Sequence, residues 1–203
     1  NKNPPCGGVG NPVSCGTGNK YQEDVDYSAA WPSPLRFSRT YNSRGDAQLT
    51  ALGWRWRSNF ERSLSPIALP TTAPRVWVSW ADGRQFYFTL KKNGIAVPLS
   101  PYDSAAAWTS DADMADRLTR LVDGSGNTLG WTYYVAATEE TETYDATGRL
   151  ASLATRAGHT QALAYDAQGR LGSVTDSFGR QLGFTYDAAG FMDDAARRRA
   201  ALP

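Results

Sequence analysis

The chain has little of what most enzymes work with. Its 203 residues include one histidine, His159, and two cysteines, Cys6 and Cys15. His159 follows the turn glycine Gly158, where an exposed loop residue is expected, and no stretch has the form of a nucleophile elbow, a phosphate-binding glycine loop or a zinc-binding helix. With no further Cys or His beside them, the cysteines fall short of the four ligands of a structural zinc site. A disulfide between Cys6 and Cys15 would close a short loop in an oxidising compartment and stabilise by about 2–3 kcal/mol; two inert thiols are the alternative. No catalytic residue, cofactor or metal ligand is expected, and the chain is not expected to be an enzyme.

An excess of either charge is also missing. Twenty-one Lys and Arg against twenty Asp and Glu leave a net charge of +1, without the basic stripe that displaces counterions from nucleic acid. Arg197 to Arg199 sit in a polar tail and read as solvated. No apolar run approaches the roughly 20 residues that span a bilayer. The chain starts with Asn rather than Met, so any export signal is expected outside it, as in a fragment of something longer.

Turn formers and aromatics are abundant: 19 Gly, 11 Pro, 7 Trp and 10 Tyr. That load suits a chain that reverses often and has broad sheet faces to fill. Hydrophobic residues at 41% and charged residues at 20% lie in the globular range, which excludes a disordered chain.

The decisive pattern is "YDATGRL", "YDAQGRL" and "YDAAGFM". Tyr144, Tyr165 and Tyr186 stand 21 residues apart, each followed by Asp (Asp145, Asp166, Asp187) and then Gly (Gly148, Gly169, Gly190). A fixed period marks stacked supersecondary units. Asp opening a four-residue turn bonds the backbone ahead of it, and Gly at the fourth position accepts the left-handed conformation, so 145–148, 166–169 and 187–190 read as hairpin loops. Gly158 and Gly179 mark a second reversal in each period. "RLASLA" and "TQALAY" alternate as half-buried strands, with about eight residues per strand. These Asp residues read as turn caps; a helix-loop-helix calcium site needs several oxygen ligands within a dozen residues.

The N-terminal half reads the same way. "LRFSRTYNSRG" alternates Leu35, Phe37 and Arg39 against Arg36, Ser38 and Thr40 and ends in a turn, of which the tripeptide Arg44 to Asp46 is part. "RVWVSWADGRQFYFTL" is a hairpin with Val76, Val78 and Trp80 on one face and an Asp-Gly turn. In "SDADMADRLTRLVDG", Met114, Leu118, Leu121 and Val122 have helical spacing, which leaves 104–116 open between helix and strand, whereas 117–122 reads as strand. The fold expected is all-β, an antiparallel meander of repeats forming a curved open sheet.

The three Tyr-Asp-x-x-Gly motifs resemble the YD repeat of the Rhs family, which includes shell components of insecticidal toxin complexes and the teneurins. Phe191 departs from it where the first two copies have Arg149 and Arg170. "GNPVSCGTGNKYQEDVDY", "LRFSRTYNSRG", "LGWRWRSNFERSL" and "VSWADGRQFYF" resemble, in order, the leading module of bacterial Rhs proteins. The resemblance implies an extension at 1–10, an Rhs-type N-terminal β module at 11–100, a repeat array at 101–192 with clear copies at 144–192, and a polar tail at 193–203. It also implies a fragment of an Rhs-type β-shell: a non-catalytic scaffold in a secreted or cell-surface bacterial parent, partnered by further repeats or a toxin domain. A carbohydrate or cell-surface binding module, stacking sugars on Trp54, Trp56, Trp77 and Tyr87, is the alternative. "RQLGFTYD", 180–187, reads as a final edge strand that is masked by the tail or paired with a second copy.

Overall fold

The structure is a computed structural model, and it describes residues 18–45, 48–66, 74–99, 106–110 and 113–193. Cys6, Cys15, Asp46 and the tail beyond 193 lie outside the described residues.

The strands in chain order are β1 (Tyr21–Ser28), β2 (Arg36–Asn42), β3 (Leu49–Thr50), β4 (Gly53–Trp54), β5 (Trp56–Ser58), β6 (Ser63–Pro66), β7 (Arg75–Ser79), β8 (Gln85–Lys92) and β9 (Ile95–Ala96). They continue as β10 (Ala107–Thr109), β11 (Arg117–Val122), β12 (Thr128–Val135), β13 (Glu140–Asp145), β14 (Leu150–Ala154), β15 (Thr160–Tyr165), β16 (Leu171–Asp176) and β17 (Gln181–Gly183). The protein is all-β. β1, β2 and β5 make a three-stranded sheet, and β3 pairs with β4. The remaining twelve strands hydrogen-bond in chain order from β6 to β17, with β9 set beside β8, as an antiparallel meander that does not close. The segment left open between helix and strand holds the short strand β10 and then irregular backbone over 113–116.

Contacts divide the chain into two compact units. One holds residues 62–79 and 85–162. Its core follows from strand register: Leu90, Trp108, Leu118, Tyr133, Glu142, Leu153 and Gln161 are successive cross-strand partners from β8 to β15, forming one row. All but the half-buried Trp108 are buried, and Phe86 meets Tyr133 at a tilt and Phe88 meets it edge-on, at 6.2 and 6.0 Å between ring centroids. Period-2 alternation puts this row on one face of the pleat, and removal of its apolar area from water holds the unit together.

The other unit holds residues 1–61, 80–84 and 163–203. At its centre Phe37 stacks on Phe60 (6.5 Å) and Phe184 (5.2 Å). The alternation expected for β2 holds for Phe37 but not for the opposite face. Ser38 and Thr40 are buried there as well, so both faces of this strand, the middle one of its sheet, are covered.

Two further expectations are corrected. The strands of the clear repeats are shorter than about eight residues, five or six in β14 to β16 and three in β17, because each period also contains two four-residue turns. The final strand ends at Gly183 instead of running to Asp187. After the Phe184 N–H bonds Gly172 O at 2.9 Å, the chain leaves the ladder and the Phe184 ring enters the core against Phe37.

Candidate functional site

The repeat motif can be built atom by atom. In the first copy the Asp145 N–H bonds Arg149 O, the Gly148 N–H bonds Asp145 O, and Asp145 Oδ1 accepts from the N–H groups of Thr147 and Arg149. Asp166 does the same with Gln168 and Arg170 at 3.0 and 2.8 Å, and Asp187 accepts from the Phe191 N–H. The glycines that close the three turns have φ of 86°, 77° and 88°. The motif arginine then turns back: Arg149 Nε reaches Asp145 Oδ2 at 3.3 Å and Arg170 Nε reaches Asp166 Oδ2 at 2.8 Å.

The second reversal uses the same device. Asp176 caps the turn that ends at Gly179, accepting from the Phe178 and Arg180 N–H groups, and Asp123 caps the turn that ends at Gly126. Thr155 stands at the corresponding place before Gly158. Turns therefore open at 145, 155, 166, 176 and 187, ten or eleven residues apart, so the 21-residue period contains two hairpins. "DGSG" and "DSFG" have the same spacing as the YD turns, a signal visible in the sequence but tied there only to glycine.

Burial is the largest single influence on the carboxyl groups of Asp145, Asp166 and Asp176 and raises them, but the hydrogen bonds they accept, together with the following arginine, outweigh it and hold all three below the ordinary aspartate value. Asp123 is held low chiefly by the side chain and N–H of Asn127.

The second reversal of the second period and the third copy both dock on the N-terminal residues of their own unit. Ser33 Oγ donates to the Asp176 carboxylate, Arg180 Nη1 to Ala30 O at 3.1 Å, and the Met192 N–H to Ala51 O at 2.7 Å. Asp176 thus caps a turn and anchors a segment 143 residues away.

The other unit contains a charge cluster in which Glu142 is buried and Arg62 and Glu140 are half-buried. Arg62 Nη1 lies 2.5 Å from both Glu140 and Glu142, and Tyr144 donates its hydroxyl to Glu142. Burial disfavours the Arg62 cation, but Glu142 and Glu140 more than offset this and raise its pKa. Burial also raises Glu142 and the Tyr144 phenol. Next to the cluster, the Leu64 N–H bonds Gly148 O at 2.8 Å, so the first YD turn is clasped by β6.

The aromatic candidates separate. Trp54 is exposed on β4 and paired with exposed Leu49. Trp56 is half-buried under the Arg39 guanidinium (5.2 Å) and against Tyr41. In the other unit Trp77 meets Tyr87 edge-on at 5.1 Å, and Arg75 lies over the Tyr87 ring at 4.8 Å. Among the described residues no three His, Cys, Asp or Glu side chains gather as a metal site would require, and no helix is long and apolar enough to cross a membrane.

Comparison with known families agrees with this architecture. Residues 10–88 match a family described as a domain of unknown function (DUF6531), and residues 144–181 and 165–201 match the RHS Repeat. No curated protein matches the chain. A stretch that matches DUF6531 followed by overlapping matches to the RHS Repeat is consistent with an Rhs/YD-repeat family protein.

Proposed function

We propose that the chain is a non-catalytic scaffold segment, contributing β-shell to a secreted or cell-surface parent that carries a toxin. The observation that carries this reading is where the repeat residues spend their chemistry. Asp and Gly of each motif, and Arg of the first two, are used in closing turns, and the Arg170 guanidinium lies 4.4 Å from the ring centroid of Tyr186, the tyrosine of the next copy. Side chains committed to turns and stacking leave the motif with an architectural role. The partners that fit are further repeats or an enclosed domain of the same parent.

The test is the gene beyond Pro203, followed by protease digestion of its full product. A following domain that resists digestion until the repeats are cleaved supports the scaffold; one digested as fast as a free domain goes against it.

Carbohydrate binding is the second reading, and Trp54 favours it most, since 54% of the residue is exposed. Trp56 and Tyr87 each already have a cation over the ring, which occupies a face a sugar would need. Retention on a glycan array that is lost in Trp54→Ala supports this reading; equal retention of the variant removes it.

A further inference from the structure

Glu61 ends the N-terminal stretch of its unit, and the roles described above do not use it. Its N–H donates to Ser58 O at 3.0 Å, and the preceding residue, Phe60, belongs to the Phe37 and Phe184 stack. The residue as a whole is half-buried, yet its Oε2 is shut off from solvent and accepts no hydrogen bond. A carboxylate oxygen buried without a donor disfavours the charged form.

The groups of this unit that act on Glu61 are few. Arg57 attracts the carboxylate, while its Nη2 donates to Gln48 Oε1 at 2.8 Å. The phenol of Tyr186 is within electrostatic reach, and Tyr186 in turn lies beside Asp166 and Arg170. Burial outweighs Arg57 and the Ser58 backbone, and pushes the Glu61 carboxyl up to about 7.

We propose that Glu61 is a proton-operated latch on the contact between the N-terminal module and the third repeat: while it is protonated residues 184–192 stay docked, and when it ionises they loosen. Its place supports this, next to the Phe60–Phe37–Phe184 stack and within reach of Tyr186, whose backbone bridges to Met192. The sign follows from linkage. A carboxyl with a higher pKa folded than unfolded contributes fully below about 4.5, and that contribution is lost as pH rises through about 7.

Amide hydrogen exchange of the full 203-residue chain tests it, read at Met192 and Phe184 and corrected for intrinsic exchange rates. Wild-type protection is expected to fall on the order of 100-fold between about pH 5 and pH 8. Glu61→Gln, neutral at every pH, is expected to hold the low-pH protection throughout. A flat wild-type profile, or a Glu61→Gln profile that falls in parallel with it, overturns the latch. If Glu61→Gln does not fold, the carboxyl-carbon titration of Glu61 in the wild type decides: a midpoint near 7 supports the proposal, and one near 4.5 overturns it.

Discussion

The Arg170 guanidinium lies over the ring of Tyr186, 4.4 Å from its centroid, while its Nε holds Asp166 Oδ2 at 2.8 Å. One side chain therefore couples the turn of the second copy to the strand-end tyrosine of the third. Arg170→Ala is expected to lose about 1 kcal/mol through the ring contact, and Arg170→Lys part of that, because an ammonium lacks the flat stacking face. Urea midpoints check this. An Arg170→Ala variant with the wild-type midpoint would make the stacking incidental.

Gly148 and Gly158 separate backbone conformation from crowding. Both have positive φ, 86° and 84°, but a Cβ on Gly148 would stand 1.9 Å from Leu64 O, whereas one on Gly158 meets nothing within 4 Å. Gly158→Ala is expected to cost about 1 kcal/mol from the left-handed conformation alone. Gly148→Ala should cost several times as much, because β6 must move off the turn. Equal losses in thermal unfolding would show that the clasp by β6 is loose.

Arg62 neutralises carboxylates that burial would otherwise disfavour. Arg62→Ala leaves Glu142 buried without its cation and is expected to cost about 3 kcal/mol near neutral pH. Glu142 already has a raised folded pKa, so it favours folding most when protonated, and that contribution is lost as pH rises. The deficit of Arg62→Ala should accordingly shrink on acidification toward pH 5. Denaturant titrations at the two pH values measure it, and a deficit independent of pH would mean that Glu142 is not the group left stranded.

The turn aspartates have the opposite sign. Asp123, Asp145, Asp166 and Asp176 are held below 3.8, so their contribution is present above that value and is lost as pH falls through their depressed folded values. Acid below about pH 4 is expected to open the repeat turns. Replacing Asp145, Asp166 and Asp176 together by Asn keeps an acceptor oxygen at each cap and removes the titration. Near-ultraviolet circular dichroism should show the acid transition in the wild type and a flattened one in the triple variant; identical transitions would place the acid sensitivity elsewhere.

Much of this was legible in the primary structure because it is local. A capping aspartate acts on residues two and four positions ahead, and a turn glycine answers to its own φ, so the hairpin loops of the repeat could be read from spacing alone. Alternation put Val76, Val78 and Trp80 on one face of a hairpin, of which Val76 and Val78 are buried and Trp80 half-buried, and the strand expected at 117–122 is β11.

Tertiary structure decided what depends on partners far along the chain. Nothing near Arg62 announces Glu142, 80 residues on, and nothing near Ser33 announces Asp176. Phe184 reads as one more residue of a strand until Phe37 offers it a place to bury, and only then does the strand end at Gly183. The 21-residue period therefore determined, by itself, an antiparallel meander with turns at known residues. The charge cluster around Glu142, the docking of the third repeat on its module and the isolation of Glu61 were decided only once folding removed those side chains from water and gave each charge its particular neighbours.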